Sequence, residues 1–582
     1  MKILLIYPYF IEERIDAEDI TSPPIGLYWV AALLKEHGHD VKILNLHAAG
    51  EKPDEIRDIL SRERPRVVGF SILHANRWGG IDIARIAKEV DPNLKIVFGG
   101  PGATFLWNHL LTHFPEVDYV VIGEGEYTLL RLLQQIEQDN VSPDSIEGIA
   151  FRKEGKIVKT DNGEPIPDLD ELPLPAKYFA YQHVSSSRGC NWKCRFCGSP
   201  ALWNCTTRYR SPGHFVDELE LLHRKGINFF YISDDTFTTK KSRVIEICRT
   251  IMERDLNITW NAISRVDSVD DEVLYWMRMA GCIQISYGVE SGSAKIRAVL
   301  NKKIKIPQVK KAFALTRSYG ILPRAYFIYG SPGETCETVE ETIGLLHEIQ
   351  PLAAIFYILD LFPGTELYER IRRSGQVTDD IWLNRIEGLL YLETDPRLSD
   401  QLVLGFGKRL RAAFYENVHS FAESISLVDR KELYPKHADF CSRLALTFTH
   451  GDYARNEMVR DKERVAEKLF RKGLEYGPDE RAYLGIGILK QKKGEHREAV
   501  EILRDGVAQF PLSEPLHICL GISHMALGEY ESAISCFSKF TESNQARSYL
   551  DGCRKESGKD PMDEERPLTP GRGTKKTKPP RR

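Results

Sequence analysis

The 582 residues contain no unbroken apolar run of about eighteen residues, and without one no helix can span the hydrocarbon core of a bilayer. Net charge is almost absent. Lys+Arg 79 against Asp+Glu 83 leaves −4, so no overall field exists to grip nucleic acid or an anionic membrane. Cysteine is sparse: 11 residues, an odd number, with three of them crowded into 190–197. That pattern excludes a secreted disulfide framework and fits reduced thiols with one metal site. The opening MKILLIYPYF has a short apolar run stopped by Pro8 and no small-residue cleavage site. It therefore reads as a strand rather than a secretory signal, and the chain as cytoplasmic. Hydrophobic residues at 42% and aromatics at 10% can fill real cores, and the length predicts three or four domains.

From Met1 to about Gly148, short apolar runs alternate with amphipathic stretches. Strands are expected over Lys2–Tyr7, Val41–Leu46, Arg66–Ser71, Leu94–Phe98 and Tyr119–Ile122, with helices such as Leu27–His37 and Ile81–Val90 between them. Continuous apolar strands separated by helices imply a parallel sheet covered on both faces, a doubly wound α/β domain over 1–148 that binds its ligand at the carboxyl ends of its strands. Small-residue loops fall at that edge, Gly99-Gly100 and Gly123-Glu124-Gly125-Glu126. Residues 149–182 are expected to form an ordered linker, with a hairpin across Glu154-Gly155 and then several prolines. A second βα series over 183–400 has expected strands near 183–187, 229–232, 258–262, 283–287, 324–329 and 354–359. Six such units suit an open, partial (β/α)6 barrel of the TIM type, again with its active edge at the strand ends. A helical extension is expected over 401–460. Beyond it, Gly487/Gly521, Gly494/Gly528 and Ala499/Ala533 recur at a spacing of 34, and Gly473/Gly506 and Pro478/Pro511 at 33. That is the period of all-α tetratricopeptide repeats, expected over 461–555, whose concave face suits a protein partner. Residues 556–582 read as a disordered basic tail.

Directly after the first strand of the second series stands Arg188-Gly189-Cys190-Asn191-Trp192-Lys193-Cys194-Arg195-Phe196-Cys197, a C-x3-C-x2-C array. Three thiolates can hold three irons of a [4Fe–4S] cube and leave the fourth iron open to an exogenous ligand, whereas an electron-transfer cube uses four. The alternative is structural zinc with Cys205 as fourth ligand, although zinc ligands more often come as C-x2-C pairs.

This array resembles the signature of the radical S-adenosylmethionine superfamily, C-x3-C-x-aromatic-C, with Phe196 in the aromatic place. The resemblance continues at successive strand ends. Ser233-Asp234-Asp235 stands where the family meets the methionine end of S-adenosylmethionine, and Glu290 in Tyr287-Gly288-Val289-Glu290 where a carboxylate holds the ribose hydroxyls. Ile328 and Gly330 fall in the segment that meets adenine through its backbone, and Arg265 and Ser286 on the intervening strands complete the implied cosubstrate site. With the doubly wound domain in front, roughly residues 1–400 resemble the cobalamin-binding radical S-adenosylmethionine enzymes. Ser71-Ile72-Leu73, Gly99-Gly100 and Gly123-Glu124-Gly125-Glu126 match the segments that line the cobalamin cleft, which implies Ser71, Leu73, Gly99, Gly100, Gly123, Glu124 and Glu126 as contacts. Asn45-Leu46-His47-Ala48-Ala49-Gly50 is similar to a D-x-H-x-x-G loop that ligates cobalt, but it follows the second strand instead of the first. His47 is therefore expected to be a strand-end surface histidine, and cobalt to have no protein imidazole.

The resemblance implies three cofactors: a [4Fe–4S] cluster on Cys190, Cys194 and Cys197, S-adenosylmethionine and cobalamin. It also implies a reducing electron donor such as flavodoxin or ferredoxin. The expected activity is methyl transfer to an unactivated carbon of a small molecule, through a 5′-deoxyadenosyl radical. A radical cyclisation or rearrangement, as in the anaerobic magnesium-porphyrin cyclase type, is the alternative within the family. A non-catalytic repeat scaffold with a structural Cys site is the alternative from another class; the retained Asp235 and Glu290 argue against it.

Overall fold

The computed structural model describes residues 1–11, 21–47, 52–138 and 142–556. The expected tail lies almost entirely outside them, as does most of the segment after the first strand. No helix among the described residues is long and apolar enough to cross a membrane. The chain forms two compact units: one of residues 1–429 with 458–460, the other of 430–457 with the residues from 461 onward.

In the first unit, strands β1 (Lys2–Tyr7), β2 (Asp40–Asn45), β3 (Val67–Ser71), β4 (Lys95–Gly99) and β5 (Tyr119–Val121) pair in parallel in the order β2-β1-β3-β4-β5. Helices α1 (Ile25–Glu36), α2 (Pro53–Glu63), α3 (Arg77–Val90), α4 (Pro101–His113) and α5 (Glu126–Glu137) separate and follow them. Because both faces of the sheet are covered, the strands are apolar throughout. One core packs Ile3, Leu5 and Val121 against α1 and α5, and a second packs Leu4, Val68 and Phe98 against α2, α3 and α4. That second core runs on without a break into Ile328, Leu359, Tyr368 and Trp382, so the two sheets share hydrophobic interior.

The linker expectation needs correcting over its first third. Residues β6 (Ile149–Lys153) and β7 (Lys156–Lys159) extend the first sheet as antiparallel edge strands, β6 on β5 and β7 on β6. The turn between them takes left-handed backbone at Glu154 (φ 50°) and Gly155 (φ 76°), as a two-residue hairpin requires. The hairpin therefore belongs to the first sheet, and the connection to the second begins after it.

The second sheet consists of β8 (His183–Val184), β11 (Phe229–Ile232), β12 (Thr259–Ser264), β13 (Cys282–Glu290), β14 (Leu322–Tyr329) and β15 (Ala353–Ile358), all parallel, in the order β15-β14-β13-β12-β11-β8. Two further short strands, β9 (Ser187–Arg188) and β10 (Arg208–Tyr209), form an antiparallel pair flanking the cysteine array. Helices begin about a turn earlier than hydrophobic periodicity indicates. Pro212–Arg224, for example, starts at a proline, and its cap Ser211 accepts a hydrogen bond from the His214 N–H.

The second unit is helical. Its boundary differs from the expected start at 461 because helix Tyr434–Thr449 packs along Lys462–Tyr476. Gly473 permits this approach: a Cβ there would stand 3.3 Å from Cys441 Cβ and from the Ala438 carbonyl. The recurring positions do recurring work. A Cβ at Gly487 would meet Leu503 and one at Gly521 would meet Phe537, each at 2.5 Å. Gly494 and Gly528 both take φ near 75° after a helix end.

Candidate functional site

Residues 189–198 have no regular strand or helix; backbone bonds to the neighbouring chain hold them in place. Arg195 N–H donates to the Leu300 carbonyl (3.0 Å), its guanidinium to the Val299 carbonyl (2.9 Å), and Gly189 takes φ 98° where a Cβ would collide with the Thr206 carbonyl. Trp192 inside the array lies under the Arg265 guanidinium, 3.6 Å from its ring centre. Cys190, Cys194 and Cys197 are free and partly buried. Burial raises the thiol pKa of Cys194, and that of Cys197 to about 12; such thiols ionise only when a cation replaces the proton, as iron does. Among the described residues no His, Cys, Asp and Glu converge closely enough to hold a single metal ion. A cube offers each thiolate a different iron, so its ligands stand farther apart than those of one zinc. Cys205 is occupied elsewhere, with its Sγ–H on the Pro200 carbonyl at 3.7 Å. Three partly buried thiols with Cys205 turned away are the donor set of a cube that keeps one iron open.

A cavity of about 350 Å³ opens at the carboxyl ends of β1, β3, β4 and β5, between the sheet and helices α1 and α5. Ser71, Leu73, Gly99, Gly100, Gly123, Glu124 and Glu126 all line it, together with Ser233 and Asp235 from the end of β11 in the second sheet and Arg188 and Gly189 from β9 and the start of the cysteine loop. The two sets of strand-end residues thus meet in one space. Its wall is mostly apolar, with Leu5, Trp29, Phe70 and Val121 among the lining residues, and Gly99 leaves room: a Cβ there would touch nothing closer than 3.8 Å. A flat ring-bearing tail fits such a slot. Gly100, by contrast, is required by the backbone, since φ is 89° and a Cβ would stand 2.9 Å from the Ile72 carbonyl.

Several residues expected as ligands are committed inside the protein. Asp234 is 1% exposed, and its carboxylate accepts from Ser186 N–H (2.6 Å), Ser187 N–H (3.2 Å) and the hydroxyls of Ser186 and Ser187. It ties β11 to the strand before the array and has no oxygen left for a cosubstrate. Neighbouring Asp235 does face the cavity, anchored by the Ser199 hydroxyl at 2.9 Å, and desolvation by the cavity walls raises its pKa against that bond. Ser233 Oγ lies 3.2 Å from His183 Nδ1. Arg265 spends Nε and Nη2 on Asp267 and the Lys303 carbonyl, so it clamps Trp192 instead of facing a ligand. Ser286 is buried on β13, and the Ile328 side chain is in the shared core. Phe196 packs on that same core.

Glu124 and Glu126 likewise reach for arginines. Glu124 accepts from Arg188 (2.6 Å), Arg208 (2.8 and 3.0 Å) and Ile166 N–H (2.7 Å), and Glu126 from Arg188 (2.6 Å). Burial would raise the Glu124 pKa, but Arg208 and Arg188 overcome it and hold the carboxyl below its usual value. Sequence reasoning missed both arginines. The available signal was two acids, two apart, in a glycine loop whose burial demands counter-charges.

Glu290 stands on a bulge of β13 with left-handed backbone, φ 65°. Its Oε1 accepts from Lys302 Nζ at 2.9 Å, with the two side chains 7% and 8% exposed. A Cβ on Gly288 would lie 2.4 Å from that oxygen, so a larger residue there would push the Glu290 carboxylate and the Lys302 ammonium aside. A non-glycine residue in this conformation stores strain of the kind found at binding sites. His47 is outside the cavity wall, its ring 5.4 Å from that of Phe10; the rest of its loop and residues 12–20 lie outside the described residues.

Gly330 (φ 77°) and Ser331 donate their N–H groups to Glu334, whose carboxyl burial pushes up to about 7 against those two bonds. Unfolded, the group titrates near 4.5, so between these values the folded chain keeps a proton that the unfolded chain releases. The stabilisation is complete below about 4.5 and declines as pH rises to about 7. Glu334→Gln should flatten that slope in urea midpoints measured across the window.

Residues 20–133 match the B12 binding domain family and residues 184–346 the Radical SAM superfamily. An uncharacterized methyltransferase of Pyrococcus horikoshii is 32% identical over 381 residues, 63% of this chain and 83% of that protein. An anaerobic magnesium-protoporphyrin IX monomethyl ester cyclase of Rubrivivax gelatinosus is 30% identical over 400 residues, 65% and 71% of the two chains. In fold, the chain is similar to the radical S-adenosylmethionine methyltransferase TsrM of Kitasatospora setae, solved with cobalamin and a [4Fe–4S] cluster (TM-score 0.60, 18% identity, 81% of this chain and 99% of that one). The chain belongs to the cobalamin-binding radical S-adenosylmethionine enzymes. Its cofactors are a [4Fe–4S] cluster, S-adenosylmethionine and cobalamin.

Proposed function

We propose that the enzyme transfers a methyl group to an unactivated carbon of a small molecule. The observation that carries this reading is the single cavity shared by the strand ends of both sheets, which joins the cobalamin cleft to the loop that leads into Cys190. When bound, the cofactors supply one-electron reduction, a hydrogen-abstracting radical and a methyl carrier. The chain's residues orient and enclose them. Cys190, Cys194 and Cys197 hold the cluster, Asp235 and Ser233 face the methionine end of the cosubstrate, and Glu290 takes its ribose hydroxyls. Ser71, Leu73, Gly99, Gly100 and Gly123 form the cobalamin cleft, with no protein imidazole on the metal. An electron donor of the flavodoxin or ferredoxin kind reduces the cluster. We read the second sheet as an open (β/α)6 barrel and the C-terminal helices as tetratricopeptide repeats that take a protein partner; the equivalent packing of Gly487 on Leu503 and of Gly521 on Phe537 supports the repeats.

A cyclisation is the second reading, favoured by the cyclase relative at nearly the same identity. S-adenosylmethionine carrying a deuterated methyl group separates the two when supplied with a metabolite extract. Methyl transfer requires a product that carries the label, whereas cyclisation leaves the carbon count unchanged.

Glu290→Gln should weaken S-adenosylmethionine binding by roughly ten- to a hundredfold, the worth of charge-assisted bonds to two hydroxyls. The circular dichroism spectrum should not change. Calorimetric titration of the cluster-loaded protein measures the affinity, and normal affinity would reassign the residue.

A further inference from the structure

Arg188 and Arg208 are directly opposite each other on the antiparallel pair β9 and β10. Like charges facing across strands repel unless counter-charges are present. The counter-charges come from one short stretch of the first sheet's last loop, Glu124 and Glu126, whose side chains are 9% and 4% exposed. Arg188 bridges both, one guanidinium nitrogen to each carboxylate at 2.6 Å, and its guanidinium also lies over the Trp29 ring of α1 at 5.9 Å. Two positions after Arg188 the chain reaches Cys190. The same loop walls the cavity through Gly123 and Gly125, and at Gly123 it faces open space.

We propose that Arg188 is a positioning residue through which the 123–126 loop holds the cysteine loop, so that cobalamin in the cavity and the integrity of the cluster are coupled. A tail seated in the cavity orders the loop that carries Glu124 and Glu126, and the doubly held guanidinium passes that order to the strand before Cys190. The coupling is reciprocal, since any factor by which cobalamin stabilises the cluster is also the factor by which the cluster tightens cobalamin. Lysine is a poor substitute for this arginine, because its single ammonium on a flexible stem lacks the rigid planar fork that presents one nitrogen to each carboxylate.

The proposal rests on the presence of the two cofactors and not on the reaction catalysed. The test follows iron loss from the reconstituted full-length protein to a ferrous chelator, with and without hydroxocobalamin, while cobalamin uptake is read from absorbance in the same samples. In wild type, cobalamin should slow iron loss severalfold or more. In Arg188→Lys, cobalamin at a concentration that saturates the site, as its absorbance shows, should give no protection. Glu126→Gln, which keeps the shape and removes the charge, carries the same expectation should the arginine variant not fold. Equal rates with and without cobalamin in wild type would overturn the proposal. So would full protection in Arg188→Lys, which would mean that cobalamin merely shields the cluster from the chelator.

Discussion

Alanine at any one of Cys190, Cys194 or Cys197 should yield a folded protein that still takes up cobalamin, though less tightly than wild type, has lost its cluster and cleaves no S-adenosylmethionine. Alanine at Cys205 should change none of these. The three side chains lie on a loop with no regular structure and take no part in the two hydrophobic cores that flank the first sheet. Their removal therefore leaves the fold intact. A cube missing one of three protein thiolates has two protein-anchored irons where it needs three, and is open to chelators and oxygen. Cys205 is turned to the Pro200 carbonyl, on left-handed backbone of φ 54°. Anaerobic iron and sulfide analysis of the four variants checks the set, and loss of the cluster in Cys205→Ala would show a fourth protein ligand.

Gly99→Leu should abolish cobalamin uptake while leaving thermal stability close to that of wild type. The nearest atoms to a Cβ at this position are 3.8 Å away, so the backbone tolerates a side chain, and that side chain must enter the cavity. Filling the slot excludes the tail outright, a loss of at least roughly a hundredfold in affinity, or about 2.7 kcal/mol. Gly100→Ala should do the reverse damage. Its backbone, φ 89° and ψ 176°, is one that essentially only glycine adopts, and the Ile72 carbonyl at 2.9 Å opposes any Cβ, at a cost of order 1–3 kcal/mol of stability. Absorbance titration with hydroxocobalamin and thermal melts separate the two effects. A Gly99→Leu protein that binds cobalamin normally would move the cofactor elsewhere.

What was legible in the sequence was local. Strands such as Lys2–Tyr7 and Phe229–Ile232 are short apolar runs whose burial on both faces leaves no other reading, and the cysteine spacing states its chemistry outright. Glycines at the strand ends marked the cavity, because close approach of backbone leaves few other choices of residue. The partners of charged groups were not legible, since they are set by contacts far apart in the chain. Asp234 was read as a ligand but serves the two serines before the array, 47 and 48 positions away. Glu124 and Glu126 were read as cobalamin contacts, and their arginines come from a strand pair more than sixty residues on. The segment around residues 384–387 has no periodicity at all. It is shaped by Trp78 and Arg77, whose side chains donate to the carbonyls of Asn384, Ile386 and Glu387 from about 300 positions earlier.

The most direct test of the central assignment is the release of 5′-deoxyadenosine from S-adenosylmethionine by the anaerobically reconstituted, reduced, cobalamin-loaded protein. The expected result is release that requires Cys190, Cys194 and Cys197 individually and is indifferent to Cys205. A protein with its full iron, sulfide and cobalamin that releases none would contradict the assignment.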